Sequence, residues 1–496
     1  MTAQADEADV CLIVEGCYPY VSGGVSTWLD WLMRSQPQTR FAVVAVVAAG
    51  QPRVPKYEFP TNMVALHEVE LGSPVSEVPA GRHRKAAARL TPLLASFITH
   101  GRLEDLGSID AIVNDPADPI PLGALVRSEL SWELVRESYA LLMPYGSFKG
   151  YFWAWHALMD GLFAILKTPL PRARVYHTIS TGYAGLLAAR ARLVGAERSI
   201  ITEHGIYTNE RRVEVLMAPW IVDTIDKGLG LDDGRMDLRD LWVTAFESYA
   251  RCCYEACDTI TTLFGANQPM QRELGAGESR LRIIANGIDI ERFGAIERRN
   301  NMPDVTLALV GRVVPIKDIK TFISAVALAA RTAPNLQAVV AGPEDEDPGY
   351  AAECHALVRE LELGDRLKFL GRVDVTKLLG EVDVAVLTSL SEAQPLSVLE
   401  AGGAGVPSIT TDVGACRELI EGITGENPGF GPGGIVAGIA RVEEIAAAMV
   451  RLAGDADLRR RMGENMRARV KAHYASERSS ALYRDLYAGA PLRGAA

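Results

Sequence analysis

The sequence predicts an α/β protein whose parallel sheets are flanked by helices, and three observations carry that prediction. Short β-rich runs alternate with longer amphipathic segments along most of the chain, the rhythm of strand, crossover helix and next strand. The runs fall into two sets, divided by the polar, charged stretch GIDIERFGAIERRNNMPD at about Ile288–Pro303. A chain of 496 residues has room for two or three domains, each large enough to bury its own core.

In the first set the strand-like runs are VCLIVEG, FAVVAVV, MVALHEVE, ARVYHTIS, RSIITEHG, DTITTL and LRIIANG. In the second they are VTLALVGRV, LQAVVAG, LKFLGRV, VAVLTSL and PSITT. The first half is lengthened by an insert at about Leu71–Pro171, where GRHRKAAARL, LVRSELSWELVRESYALL and YFWAWHALMDGLFAILK read as helices. Its aromatic cluster Tyr151, Phe152, Trp153 and Trp155 reads as the core face of a helix, with an acceptor platform as the alternative. The tail from ADLRRRMGENM to LYRDLY is helical with few breakers and is expected to pack back across the seam between domains. The expected division is an N-terminal domain over 1–295, a C-terminal domain over 303–470 and a returning helix over 471–496.

Composition narrows the function classes. Hydrophobic content of 48% and charged content of 23% suit a globular protein. A net charge of −11 argues against a broad nucleic-acid surface. Seven cysteines are too few for a disulfide framework in a chain of this length. Cys252, Cys253 and Cys257 cluster on a predicted helix, but zinc would need a fourth partner that the spacing does not supply. They are read as reduced and structural, with no metal. The N-terminal MTAQADEADV lacks the basic region of a signal peptide. The run Phe41–Ala49 is strand-sized, and no apolar stretch approaches the roughly 20 residues that cross a bilayer. The expected location is cytoplasmic, or peripheral at the inner membrane face.

Four constellations carry chemistry. In EGCYPYVSGGVSTWLDWL, Gly23 and Gly24 precede a helix, where paired glycines let backbone N–H groups approach an anion. This is not the GxGxxG fingerprint of dinucleotide binding. In ITEHGIYTNER, His204 closes a strand just before a helix that begins near Thr208, and strand carboxyl ends are where open α/β sheets bind ligands. Arg211 and Arg212 nearby serve either a substrate anion or solvent. In GRVVPIKDIKTFI, Arg312 forks onto phosphate oxygens and Lys317 adds a point charge, while Lys320 reads as surface. Two cations can neutralise a departing diphosphate without a metal. The fourth is the acid pair Glu392 and Glu400, separated by seven residues, one in a loop and one on the helix that begins at Pro395. Acids for hydroxyls beside bases for phosphates suggest a nucleotide-sugar site.

Together these motifs resemble the family 4 retaining glycosyltransferases of the GT-B fold, over most of the chain and most strongly over Val305–Glu421. GRVVPIKD, the acid pair, EAGGAGVP and ANGID (Ala285–Asp289) match that layout. Further stretches, EGCYPYVSGGVSTW, YHTISTGYAG, TEHGIYTNER and SEAQPLSVLEAGGAGVPSITTDVGACREL, resemble the PelF-like branch, the soluble glycosyltransferases of Pel exopolysaccharide biosynthesis. Ala393-Gln394 stand where many members carry Gly-Phe, as in that branch.

The resemblance implies two Rossmann-like domains facing a cleft, with the last helix crossing back to the first domain. It implies that Arg312 and Lys317 hold the diphosphate, Glu400 the ribose, and backbone near Leu370–Val373 the base, expected to be uracil. Glu392 would contact the donor sugar beside the anomeric carbon, Gly24 would approach the phosphate, and His204 would contact the sugar. Glu392, His204, Arg312 and Lys317 are thus the expected catalytic residues. Gly23, Gly24, Leu370, Val373, Pro395, Leu396 and Glu400 join them in the donor site. The implied activity is retaining, metal-independent transfer from a UDP-sugar to a growing exopolysaccharide. The UDP-sugar is a substrate and no cofactor is expected. The expected partners are the polysaccharide acceptor and inner-membrane synthase or export subunits, with no nucleic acid. Two alternatives stay open: a GT-B epimerase or hydrolase of UDP-sugars, and a non-catalytic nucleotide-sugar-binding subunit of a membrane synthase.

Overall fold

The structure, a computed structural model, describes residues 7–50, 52–76, 78, 81–221, 234–299, 304–423 and 425–490. Seven strands form the first sheet: β1 (Ala8–Glu15), β2 (Phe41–Ala48), β3 (Met63–Leu71), β4 (Ala173–Thr178), β5 (Arg198–Glu203), β6 (Thr259–Thr262) and β7 (Leu281–Ile283). Their order is β3-β2-β1-β4-β5-β6-β7 and every pairing is parallel. The β2 sequence FAVVAVVA is buried over its first six residues, because helices cover both faces of a parallel sheet.

Helix α1 (Gly24–Arg34) links β1 to β2. Between β3 and β4 the insert contributes α2 (Ala87–His100), α3 (Leu103–Val113), α4 (Leu122–Val126), α5 (Glu129–Leu142) and α6 (Phe148–Lys167). Of the aromatic cluster, Tyr151 and Trp155 are buried while Trp153 is 65% exposed. The stripe thus divides between core and surface, since neighbouring helix positions point in different directions. Helices α7 (Tyr183–Leu193), α8 (Tyr207–Met217), α9 (Leu238–Ala256), α10 (Gln268–Glu273) and α11 (Ile290–Gly294) complete this half. Cys252, Cys253 and Cys257 are free and buried at the end of α9.

The second sheet holds β8 (Val305–Val310), β9 (Leu336–Ala341), β10 (Leu367–Gly371), β11 (Val384–Leu387), β12 (Ser408–Thr411) and β13 (Gly434–Ala437). Its order is β10-β9-β8-β11-β12-β13, again all parallel. Strand β13 was absent from the sequence-based set: four residues that begin with a glycine carry too little periodicity to be read as a strand. Around the sheet lie α12 (Ile319–Ala330), α13 (Pro348–Glu360), α14 (Val375–Glu381), α15 (Leu396–Gly403), α16 (Cys416–Glu421), α17 (Val442–Gly454) and α18 (Ala456–His473).

The tail is two helices, because the chain breaks after His473 before α19 (Ser476–Ala488). Residue 471 therefore lies inside the last turn of α18, and 491–496 fall outside the described residues. Helix α19 packs on the first sheet, where Tyr483, Leu486 and Tyr487 are buried with Trp28, Leu29, Phe41 and Val175. The Tyr487 hydroxyl meets His177 Nδ1 at 2.8 Å. The chain thus passes twice between the halves. The two passages pair with each other, the Ile288 N–H donating to the Tyr474 carbonyl and the Ser476 N–H to the Ile288 carbonyl, at 2.9 and 3.0 Å. The predicted linker holds α11, and its residues 300–303 fall outside the described residues. Among the described residues no helix is long and apolar enough to cross a membrane.

Candidate functional site

Strand order reverses direction between β8 and β11 in the second sheet and between β1 and β4 in the first. Such switch points open a crevice at the strands' carboxyl ends, because the loops on either side leave in opposite directions. The loop after β8 carries Arg312 and Lys317, and the loop after β11 carries Glu392.

Several bonds lock these two loops together. The Thr388 hydroxyl donates to the carbonyls of Lys317 and Asp318, each at 3.0 Å. The Leu390 N–H donates to the Ile316 carbonyl at 2.9 Å. Asp318 turns the chain with φ of 46° and caps α12 by accepting from the Thr321 N–H. With both backbones pinned, Lys317 Nζ donates to Glu392 Oε1, and the Ser389 hydroxyl donates to the same oxygen at 2.6 Å. Gly414, with φ of 52°, closes under this loop, and a Cβ there would stand 2.2 Å from the carbonyl oxygens of both Glu392 and Ala393. The Ala415 N–H holds the Ala393 carbonyl at 2.7 Å.

Arg312 takes a different partner. It donates to Glu346, in the loop after β9, and both side chains are about half exposed. Leu370, near the end of edge strand β10, is 41% exposed, and Val373 lies half-buried just beyond it. Pro395 is the buried residue before α15, and Leu396 opens the helix. Glu400, one turn further, lines a narrow apolar cavity with Val375, Leu379, Ser397 and Val398. Burial pushes its carboxyl up to about 7, against the opposing charge of Arg292.

On the first sheet, a Cβ added at Gly23 or Gly24 would meet nothing within 4 Å, so the start of α1 is open to approach. No side chain caps that end of α1. His204 follows β5 with Trp28 edge-on against its ring at 4.7 Å. Its Nε2 is buried without a hydrogen-bond partner among the described residues. Burial lowers its pKa to about 4, so the ring is neutral at pH 7. Arg211 pairs with Glu214 at 2.7 Å and lies over the Tyr207 ring.

The structure thus brings Lys317 and Glu392 into direct contact. Among the described residues no hydrogen bond or ion pair joins Arg312, Glu400, Gly24 or His204 to that pair. It also shows two acids that the motif reading passed over. Glu15, at the end of β1, accepts from the Ala184 N–H at 3.0 Å and the Tyr207 hydroxyl at 2.9 Å, and burial raises its pKa. Glu203, fully buried beside His204, accepts from Tyr254 at 2.5 Å and Gln271 at 2.8 Å. Burial raises it to about 7 although both hydrogen bonds oppose the shift. The only sequence signal was an acid closing each strand-like run, VCLIVEG and RSIITEHG. Among the described residues no group of three His, Cys, Asp or Glu side chains is placed to hold a metal ion.

Two parallel-stranded Rossmann-like sheets, flanked by helices and joined by a returning last helix, constitute the GT-B fold. Residues 8–279, more than half of the chain, match the family model described as Domain of unknown function (DUF3492), and the protein belongs to that family. Residues 294–469 match the model for Glycosyl transferases group 1. The structure of Alr3699/HepE from Anabaena in complex with UDP is similar over 97% of this chain and 100% of that one, with a TM-score of 0.57 and 13% identity. Glycogen synthase of Mycobacterium tuberculosis is 31% identical over 185 residues, 36% of this chain and 41% of that protein. The MMP alpha-(1->4)-mannosyltransferase of Mycolicibacterium hassiacum is 25% identical over 278 residues, 55% of this chain and 60% of that protein. The matches thus span about two to three fifths of these relatives' own length.

Proposed function

We propose that the protein transfers a sugar from a UDP-sugar to a growing exopolysaccharide of the Pel type, with retention at the anomeric carbon and without a bound metal. One observation carries the reading most: a lysine and a glutamate meet at the β8/β11 switch point, with a second, half-buried acid on the adjoining helix. The group 1 match over 294–469 and the fold shared with a UDP complex support the same reading.

In this reading Arg312 and Lys317 hold the diphosphate, Glu400 accepts from the ribose hydroxyls, and Leu370–Val373 flank the base beside Pro395 and Leu396. Gly23 and Gly24 present the uncapped start of α1 to the phosphates from the first domain. In transfer, the bond from the anomeric carbon to the β-phosphate oxygen breaks, and the acceptor oxygen bonds to that carbon on the same face. The acceptor's proton passes to the departing phosphate, whose charge is neutralised by the two cations. Glu392 lies beside the anomeric carbon, and the neutral imidazole of His204 offers its open nitrogen to a sugar hydroxyl. Membrane synthase or export subunits would receive the product.

Incubation with a panel of UDP-sugars and oligosaccharide acceptors tests this directly. The expected result is UDP release tied to a lengthened glycan that keeps the donor's anomeric configuration, undiminished in chelator. Free sugar or epimer formed rapidly without acceptor would replace the transferase reading with a hydrolase or epimerase. Tight UDP binding with no transfer to any acceptor would instead point to a binding subunit.

A further inference from the structure

We propose that Gln394 is a positioning residue that ties the Glu392 loop to the passage between the two domains, an inference that rests on the sugar-transfer reading. The residue is 6% exposed, and its Oε1 accepts from the Asn286 backbone N–H at 2.6 Å. Asn286 lies in the loop between β7 and α11, where the chain leaves the first sheet. A buried glutamine that satisfies a backbone N–H 108 residues away is a specific tether, since truncating it would leave that N–H buried and unpaired.

Both ends of the tether are themselves fixed. The carbonyl of Ala285, next to Asn286, accepts from the Ser479 hydroxyl of α19 at 2.8 Å. Ile288, two residues beyond Asn286, pairs with the second passage through Tyr474 and Ser476. At the other end, Gln394 is two residues from Glu392, and the intervening Ala393 carbonyl is held by Ala415. With Gly414 packed beneath, the Glu392–Gln394 backbone has little freedom to shift by itself. The side chain of Gln394 therefore joins the glutamate loop to the first chain passage between the domains, which is itself bonded to the second. This amide couples the Glu392 backbone to the passage between the domains, beside the apolar packing of Ile288 and Phe293 on the second domain. The neighbouring contact of Glu418 with the N–H groups of Gly265 and Ala266, at 3.3 and 3.2 Å, braces the same seam from α16.

The experiment compares Gln394→Leu, which removes the acceptor oxygen, with Gln394→Glu, which retains one. Three quantities are read: UDP affinity, turnover with donor and acceptor, and hydrogen exchange at the Asn286 amide. The expected result for Gln394→Leu is faster exchange at Asn286, UDP affinity within about twofold and turnover at least about tenfold lower, as expected for a misplaced reacting group. Gln394→Glu should restore both protection and most of the turnover. Unchanged exchange at Asn286 in Gln394→Leu, or turnover within about twofold of wild type, would overturn the proposal. So would loss of UDP binding in step with turnover, which would mark a merely structural role. A wild-type protein that transfers no sugar sinks the transferase reading separately, and Asn286 exchange still decides whether the tether exists.

Discussion

Lys317 and Glu392 are 75 residues apart in sequence, yet the lysine Nζ donates directly to the glutamate's Oε1. Both side chains are mostly shielded, at 20% and 14% exposure. The Ser389 hydroxyl shares the same oxygen, so two donors hold Glu392. In the proposed reading, a diphosphate arriving at Lys317 would compete with Glu392 for the ammonium and release the glutamate toward the sugar.

Replacing Lys317 with Ala should lower turnover by about 10²-fold or more, the scale for losing one electrostatic contact to a departing anion. Arg312→Ala should act in the same direction, through an exposed cation that pairs with Glu346. Initial rates at saturating acceptor would check both. Near wild-type turnover in both variants would remove the phosphate role from this pair.

Donor binding should strengthen as pH rises through about 7. Glu400 is held near that value by burial, and only its ionised form offers both oxygens to ribose hydroxyls. Calorimetry with UDP at pH 6 and pH 8 should find several-fold tighter binding at pH 8, up to roughly tenfold per unit of pH below the pKa. Glu400→Gln should flatten that dependence, and an unchanged slope in the variant would assign the effect to another group.

Gly414→Ala should damage the loop from beneath. The backbone there has φ of 52°, and the new methyl would meet two carbonyl oxygens at 2.2 Å. Left-handed strain and the clash together should cost about 2–4 kcal/mol of stability. Urea unfolding would measure this, and turnover should fall further than stability alone explains, because the displaced carbonyl belongs to Glu392.

Arg469→Ala should be among the most destabilising single changes in the second domain. Its guanidinium meets both Glu426 oxygens at 2.8 and 2.9 Å and donates to the carbonyl of Gly431. The two side chains are only 1% and 7% exposed. Burial acts to raise the Glu426 pKa, but the hydrogen bonds and charge of Arg469 outweigh it and leave the carboxyl below its ordinary value. Removing the arginine strands a buried charge, at about 3–5 kcal/mol. A loss below about 1 kcal/mol by denaturant titration would contradict this account of the pair.

Glu203→Gln should become progressively more stabilising, relative to wild type, as pH rises from 5 to 8. Glu203 is raised to about 7 in the folded chain, so the folded state holds its proton longer than the unfolded one. Its contribution is full below about pH 4.5 and is lost as pH rises through about 7. The opposite trend comes from His177 and His204, which burial holds at about 3 and 4. The unfolded chain takes up their protons first, so stability declines as pH falls from about 6.5 toward those values. Melting temperatures of wild type and variant across this range should show a widening gap, and a constant gap would deny the raised pKa.

How far the fold was legible follows from what each strand carries within itself. Runs such as FAVVAVVA announce their burial locally, and twelve of the thirteen strands among the described residues coincide with apolar runs readable in the sequence. The short glycine-led β13 carried no such pattern. The motif residues were legible because their neighbours in sequence set their place at strand ends and helix starts. The partner that each side chain takes was not legible.

The sequence by itself determined the α/β class, the two sets of strands, the loops that carry His204, Arg312, Lys317 and Glu392, the helix that starts at Gly24, and the helix that carries Glu400. Only the tertiary structure decided that Lys317 pairs with Glu392 while Arg312 pairs with Glu346. It alone decided that Glu203 is buried among Tyr254 and Gln271, that α19 rests against His177, and that Gln394 reaches Asn286. The physical reason is sheet order. Strands β8 and β11 become neighbours across intervening β9 and β10, so contacts at the switch point depend on which strands pair, and periodicity along the chain does not encode that choice.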